Sequence, residues 1–337
     1  MQQSPDVSPD LFWQMINGYQ ATEIVKAAIE LDVFTAIDNG AATAADIAAA
    51  TASAERGCRI LCDALTVFGF VQKIDNAYKL TPSSAFFLSK NSQAYLGSVT
   101  QFLAGPAIKR GFETFADAVR NGGTVVKSEG SVDPESPMWV TFARAMMPIM
   151  MLPARAIADI LGGDTERPLK VLDIAASHGI FGITIAQKLP NARVTGLDWK
   201  NVLEVAKENA SKFGVADRYD TIAGSAFEVD LGSGYDVVLL TNFLHHFDAE
   251  TCISMIEKCH AALADGGKVI TLEFVPNDDR VSPPREALFA PVMLAGTPAG
   301  EAYTFTELKS MFEAGGFAHS EHIPLPPTPQ HLVVSTK

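Results

Sequence analysis

Four polar residues stand at the ends of apolar runs in the second half of the chain. Asp198 follows the run 193–197, Ser225 lies just beyond 219–223, His245 follows 235–240, and Glu273 closes 268–274. All four runs read as strands, and 235–240 is continuously apolar, as expected of a strand covered on both faces. Ligands of open parallel sheets sit outside the carboxyl ends of the strands, where all four residues fall. A carboxylate there accepts hydrogen bonds from hydroxyls, and a histidine exchanges a proton near neutral pH.

Residues 171–198, VLDIAASHGIFGITIAQKLPNARVTGLD, organise the rest. A strand at 170–174 leads through the small turn 175–179 into a helix at 180–189, with Ile180, Ile183, Thr184 and Gln187 at helical spacing. Pro190 and Asn191 stop that helix, and a second strand, 193–197, ends on Asp198. Strand, turn, helix, strand and terminal acid form a nucleotide-binding βαβ unit, whose acid can accept both hydroxyls of a ribose. A dinucleotide site requires Gly-x-Gly-x-x-Gly so that backbone can approach a pyrophosphate. Here Ala175 and Ser177 hold the first two glycine positions and only Gly179 remains. Their side chains would crowd a pyrophosphate. S-adenosylmethionine (SAM) has no phosphate and tolerates them, so an NAD-dependent oxidoreductase is disfavoured.

The chain has 337 residues, room for about two domains at roughly 150 residues each. Its composition, 47% hydrophobic and 19% charged, suits sizeable cores rather than disorder. The net charge is −13, with 12 Lys and Arg against 16 Asp and Glu in residues 1–160 and 14 against 23 in 161–337. Neither half is basic, which argues against nucleic acid or an anionic membrane as the main partner. The start, MQQSPDVSPD, has no signal-peptide pattern. The most apolar stretch, 138–153, contains Arg144 and two prolines and reads as too short to span a bilayer. Cys58, Cys62, Cys252 and Cys259 match no zinc spacing and read as reduced core thiols of a cytoplasmic protein.

In the first half, 11–29 reads as one helix, and 31–37 continues its apolar pattern. Thr43 reads as the N-cap of 44–50 and Ser53 as the cap of 54–68, a helix expected to bury Ile60, Leu61, Ala64, Leu65 and Phe68. Strands at 70–74 and 78–81 follow, joined by a turn at 75–77. Helix, helix and small hairpin are the plan of a winged helix. That plan admits a DNA-binding regulator, but the recognition-helix position offers only Arg56 and Arg59 as cations. Packing and dimer contacts are the better reading. Residues 91–160 read as helical throughout, with a face of Phe102, Phe112, Phe115, Trp139, Phe142, Met146, Met147, Met150 and Met151. Loops are expected at 122–123 and 131–137, and a linker near 161–164.

In the second half, helices are expected at 201–213, 249–263 and 305–314. Asp248 caps the second, 265–267 close it, and Thr304 with Glu307 forms a capping box on the third. Strands at 318–325 and 331–336 read as an antiparallel hairpin. The expected fold is α/β: a Rossmann-like, mostly parallel seven-stranded sheet with an antiparallel C-terminal hairpin (161–337), preceded by an α-helical winged-helix dimerisation domain (1–160).

Three segments, VLDIAASHG with GLD, YDVVLLTNFLHHF, and GKVITLEF before a methionine-bearing helix, resemble the SAM-dependent small-molecule O-methyltransferases of plant phenolic and bacterial natural-product pathways. The resemblance covers nearly the whole chain. It implies a homodimer formed through the N-terminal domain, SAM as methyl donor and S-adenosylhomocysteine as product. It aligns His245 with the family's base, His246 with an aspartate, Phe247 with a tryptophan, and Glu273 with the carboxylate that orients the base; the adjacent His246 is the alternative base. A histidine in water titrates near pH 6.5 and is largely neutral at pH 7. The resemblance also implies cofactor contacts at Asp173, Ala175, Gly179, Asp198, Trp199, Gly224, Ser225, Ala226, Phe227, Thr241 and Asn242. Acceptor-lining positions fall at Phe142, Met146, Met150, His246 and Met293.

Three departures stand out. Glu301 stands in for the family's second catalytic carboxylate, one position early when aligned on Thr304. Ser225 replaces an acid near adenine. Thr241 replaces a lysine four residues before the base in plant members. The leading expectation is a cytoplasmic O-methyltransferase acting on a planar or aromatic hydroxyl compound, with no metal, nucleic acid or membrane partner. The alternatives are a C- or N-methyltransferase on the same cofactor, or a winged-helix regulator that senses SAM.

Overall fold

A computed structural model describes residues 7–126, 136–162 and 167–337. Two compact units divide the chain, Met1–Ala104 and Gly105–Lys337.

The first unit runs through helices α1 (Asp10–Ile16), α2 (Gly18–Glu30), α3 (Val33–Asp38), α4 (Ala44–Thr51) and α5 (Glu55–Val67). The antiparallel hairpin β1 (Val71–Ile74) and β2 (Ala77–Leu80) follows, then α6 (Pro82–Leu88) and α7 (Thr100–Leu103). The helix–helix–hairpin order is the expected one. The single helix expected over 11–29 is broken at Asn17-Gly18, both weak helix formers. Thr43 caps α4 in a reciprocal capping box with Asp46. Ser53 does not cap α5. Its hydroxyl donates to the Thr51 carbonyl, and Ala54 stands at the N-cap without a side-chain acceptor. Ile60 and Phe68, expected in the core, are 44% and 42% exposed, while Cys58, Cys62 and Leu65 are buried. Both stripes keep the helical period. Only packing distinguishes them, and cysteine behaves there as a small apolar group.

The second unit opens with α8 (Pro106–Glu113), α9 (Phe115–Asn121) and α10 (Pro137–Leu161). The stretch 91–160 is therefore not helical throughout. Gly122 ends α9 in the left-handed region, and 124–126 are irregular. The expected loop at 131–135 and linker residues 163–164 lie outside the described residues. The stretch read as too short for a bilayer forms part of α10, a 25-residue helix long and apolar enough to cross one by length and composition. It packs against the helices Ile180–Lys188 and Lys200–Lys212 and buries Ala143, Met146, Met150, Ala154 and Ile157.

The sheet follows: β3 (Leu169–Ile174), α11 (Ile180–Lys188), β4 (Ala192–Asp198), α12 (Lys200–Lys212), β5 (Tyr219–Ala223), β6 (Tyr235–Thr241), α13 (Ala249–Ala262) and β7 (Leu263–Glu273). Two short helices, α14 (Pro284–Ala287) and α15 (Ala290–Gly296), precede α16 (Phe305–Ala314) and the hairpin β8 (His319–Pro324) and β9 (His331–Thr336). The strand order is β5-β4-β3-β6-β7-β9-β8, parallel from β5 to β7 and antiparallel at β9 and β8. Alternating side chains feed two cores. Leu172, Ile174, Val238 and Leu240 pack towards α13 and α16, and Val171, Val237 and Leu239 towards α10 and α11. Residues 265–267, expected to close α13, instead lie in the first part of β7, with Gly266 at positive φ. The strand order reverses between β3 and β6, and the ends of β3, β4 and β6 converge at that crevice.

Candidate active site

The turn between β3 and α11 places Ala175, Ser177 and Gly179 at φ 54°, 52° and 72°. The backbone keeps a conformation that suits glycine although two of the three residues carry side chains, at a cost of about 1–2 kcal/mol each. At Gly179 a side chain is excluded, since a Cβ would lie 2.9 Å from the Tyr219 hydroxyl and 3.1 Å from Ala206 Cβ. Across the turn, the Ser177 amide donates to Asp198 Oδ2 at 2.8 Å and the Trp199 amide to Oδ1 at 2.7 Å. Each carboxylate oxygen retains a lone pair for a further donor. Burial pushes the Asp198 carboxyl up to about 6, against the pull of those two amides.

Asp173 sits beneath the turn, fully buried. Its Oδ2 accepts the Gly182 amide at 3.2 Å and its Oδ1 has no partner among the described residues. Burial, opposed by that amide and reinforced by Asp198, pushes it up to about 8. Buried His178 accepts the Ile180 amide at Nδ1, 3.2 Å, and is pushed down to about 3 by burial, so it is neutral with its proton on Nε2. The Trp199 ring packs with Trp139, Val140, Ala143, Val202 and Val205, joining α10 to α12.

The loop after β5 folds back on itself. The Gly224 amide donates to the Asp198 carbonyl at 3.0 Å, and the Ser225 carbonyl accepts the amides of Glu228 and Val229. Phe227 stacks on Phe243 with ring centroids 6.0 Å apart and meets Phe247 edge-on at 5.0 Å.

Beyond β6, His245 and Glu273 form a buried pair. His245 Nδ1 and Glu273 Oε2 share a short hydrogen bond. Glu273 Oε1 accepts the amides of Phe243 at 3.0 Å and Leu244 at 2.9 Å, which fixes the carboxylate before it meets the ring. Phe289 stands edge-on to the His245 ring at 4.9 Å and stacks on Phe274 at 4.0 Å. His246 points elsewhere, edge-on to Trp139 at 5.4 Å. Its Nδ1 is buried without a partner among the described residues, and burial with His245 beside it lowers its pKa well below the usual range.

The structure brings His245 and Glu273 together but not the Glu301 carboxylate. Glu301 touches His245 through its backbone, its amide donating to the His245 carbonyl at 3.0 Å. Its carboxylate, 40% exposed, accepts the Ala302 amide and lies 3.7 Å from Arg280. Thr241 is buried at the end of β6. Asn242, at φ 54°, accepts from the Gln330 side chain and donates to Met150 Sδ at 3.6 Å. Met146, Met150 and Met293 are buried, and the Phe142 ring lies parallel to that of His178 at 6.4 Å. Phe289, Gln330 and His178 carry no signal in their own sequence positions; long-range packing alone brings them to the site.

Residues 135–318 match the O-methyltransferase domain family, and residues 13–90 match the O-methyltransferase dimerisation domain. The chain belongs to the O-methyltransferase family. It is 28% identical to the 3-hydroxy-5-methyl-1-naphthoate 3-O-methyltransferase of Streptomyces sahachiroi, over 91% of this chain and 89% of that one. A crystallised Nostoc punctiforme protein assigned to the O-methyltransferases is 51% identical over 99% of this chain and 100% of its own, with a TM-score of 0.94. Human N-acetylserotonin methyltransferase in complex with SAM shares the fold at 21% identity and TM-score 0.86, covering 100% of this chain and 99% of that chain.

As an enzyme of this family the chain uses SAM. The residues at the β3–β4 crevice fit that cofactor. Asp198 offers lone pairs at a strand end, and Asp173 Oδ1 and Ser177 Oγ are buried without partners among the described residues.

Proposed function

We propose that this O-methyltransferase methylates a hydroxyl of a small, planar, aromatic acceptor, with His245 as general base and Glu273 as the group that orients it. The observation that carries the reading is the buried His245–Glu273 hydrogen bond, backed by the amides of Phe243 and Leu244 on the other carboxylate oxygen. With Nδ1 committed to Glu273, the tautomer that network favours leaves Nε2 with the lone pair. Nε2 then takes the hydroxyl proton, and Glu273 stabilises the imidazolium that forms. SAM supplies an electrophilic methyl group to the resulting oxyanion. The protein contributes position and dryness: Phe289 presents its ring to His245, and Met293, Met146, Met150 and Phe142 line the acceptor.

In this reading Asp198 holds the ribose hydroxyls, Trp199 flanks it, and Gly224, Ser225, Ala226 and Phe227 receive adenine. Asp173, Ala175, Gly179, Thr241 and Asn242 line the methionine side, and His246 faces the acceptor. Residues 1–160 serve dimerisation and acceptor lining, residues 161–337 hold cofactor and dyad, and the enzyme works as a cytoplasmic homodimer. The naphthoate acceptor in the Streptomyces relative's name supports a planar phenolic acceptor here.

The test is transfer of labelled methyl from SAM to a panel of phenols and naphthols. H245A is expected to lose about 10²–10⁴-fold in kcat on any acceptor the wild type uses. An amine or carbon acceptor turned over equally by H245A would replace the O-methyl reading with the N- or C-methyl one.

A further inference from the structure

Lys258 lies in the interior of α13 and is bonded to neither member of the dyad. Its ammonium donates to three carbonyls of one loop: Ala226 at 2.8 Å, Phe227 at 3.0 Å and Val229 at 2.6 Å. An ammonium has three N–H donors, and all three are taken. The side chain is partly buried, so these bonds are screened less than a surface pair.

The loop it holds is the one between β5 and β6. The Gly224 amide ties its start to Asp198, and Phe227 anchors its tip against Phe243 and Phe247. The Ser225 carbonyl points into the turn, accepting from Glu228 and Val229. In a planar trans peptide the amide of the next residue points the opposite way. The Ala226 N–H is therefore directed away from the turn that the Ser225 carbonyl faces. Three turn carbonyls converging on one point, those of Ala226, Phe227 and Val229, would repel one another without a cation among them.

We propose that Lys258 is a positioning residue for cofactor recognition: by gathering the carbonyls of Ala226, Phe227 and Val229 it holds the loop in the form that receives the adenine ring. This rests on the reading that adenine lies at Ser225–Phe227. It predicts that Lys258 governs affinity for the adenosyl end of the cofactor and leaves proton transfer at His245 alone.

The experiment is calorimetric titration of wild type, K258M and K258R with S-adenosylhomocysteine and with 5′-methylthioadenosine, which lacks the amino-acid end. K258M is expected to bind both ligands about 10-fold more weakly, by a similar factor, because three charge-assisted hydrogen bonds that shape the loop are lost. K258R keeps the charge but presents a planar fork to a three-point site, so an intermediate loss of about 3-fold is expected. With an acceptor in hand, the rise should fall on KM for SAM more than on kcat. Unchanged binding of both ligands by folded K258M overturns the proposal, as does a loss confined to S-adenosylhomocysteine. Should K258M fail to fold, K258R decides by the same criterion. Failure of the wild type to bind either ligand would instead sink the cofactor-site reading itself.

Discussion

Burial sets the charge state of the two acids at the cofactor turn, and it sets them differently. Asp173, pushed up to about 8, is a neutral acid at pH 7, whereas Asp198, at about 6, is mostly ionised. An Asp whose folded pKa exceeds its unfolded value near 3.9 holds a proton that the unfolded chain releases. Its stabilising contribution is present at low pH and lost as pH rises from about 4 through its folded pKa. D173N removes this dependence. Thermal unfolding of the ligand-free protein should find the variant more stable than wild type at pH 8.5, and the advantage should shrink steadily as pH falls towards 4. An advantage independent of pH would mean that Asp173 is not held neutral. For Asp198 the readout is binding. Ribose hydroxyls donate to a carboxylate, so S-adenosylhomocysteine affinity should fall as pH drops below about 6. D198N should bind at least about 10-fold more weakly, with no such pH step.

At the scale of elements, the segment after α15 is wedged against the His245 loop. A Cβ on Gly300 would lie 2.2 Å from the His245 carbonyl oxygen and 2.6 Å from Thr297 Oγ1. On the segment's other side, a Cβ on Gly123 would lie 2.0 Å from the Pro298 carbonyl oxygen, and the Thr124 amide donates to the Thr297 carbonyl. Glycine is needed at these two points because backbones approach with no room for a side chain. G300A should cost about 1–3 kcal/mol in chemical denaturation. Because the displaced atoms are those of the loop that carries the proposed base His245, it should also lower kcat by about 10-fold or more. Loss of stability with kcat intact would show that the segment supports the fold but not the dyad. The capping box of Thr304 and Glu307 starts α16 just beyond, and T304A should cost about 1 kcal/mol with little change in kcat.

At the scale of the whole molecule, the first unit leaves a run of large apolar side chains in water. Leu11, Phe12, Trp13, Met15, Ile16 and Tyr19 are each more than half exposed, and α1 buries none of its residues within the single chain. A contiguous apolar surface of this kind marks an association site, and it lies at the start of the region that matches the O-methyltransferase dimerisation domain. Light scattering should give a dimer mass for the wild type, and F12E/W13E should shift it towards the monomer. A wild-type monomer at micromolar concentration would refute the homodimer.

Much of this protein was legible in the sequence because the signals are local. The apolar runs, the small-residue turn, Asp198 at a strand end and the Thr43 and Thr304 caps all depend on neighbours within a few residues, and the sheet appears as they imply. The alternation of strands and helices with an apolar hairpin at the end was enough to determine the fold class. Periodicity could not say which of two helical stripes on α5 faces inward, or that weak helix formers at Asn17-Gly18 would break the first helix. The family resemblance already paired Glu273 with His245, 28 residues away, and the fold brings them together. Tertiary structure alone decided that the Glu301 carboxylate turns to Arg280 although its backbone touches the same loop. The three carbonyls that Lys258 gathers lie about 30 residues before it. A residue's type states which bonds it can make. Which of them it makes, and whether an acid keeps its proton, depends on what the folded chain packs around it.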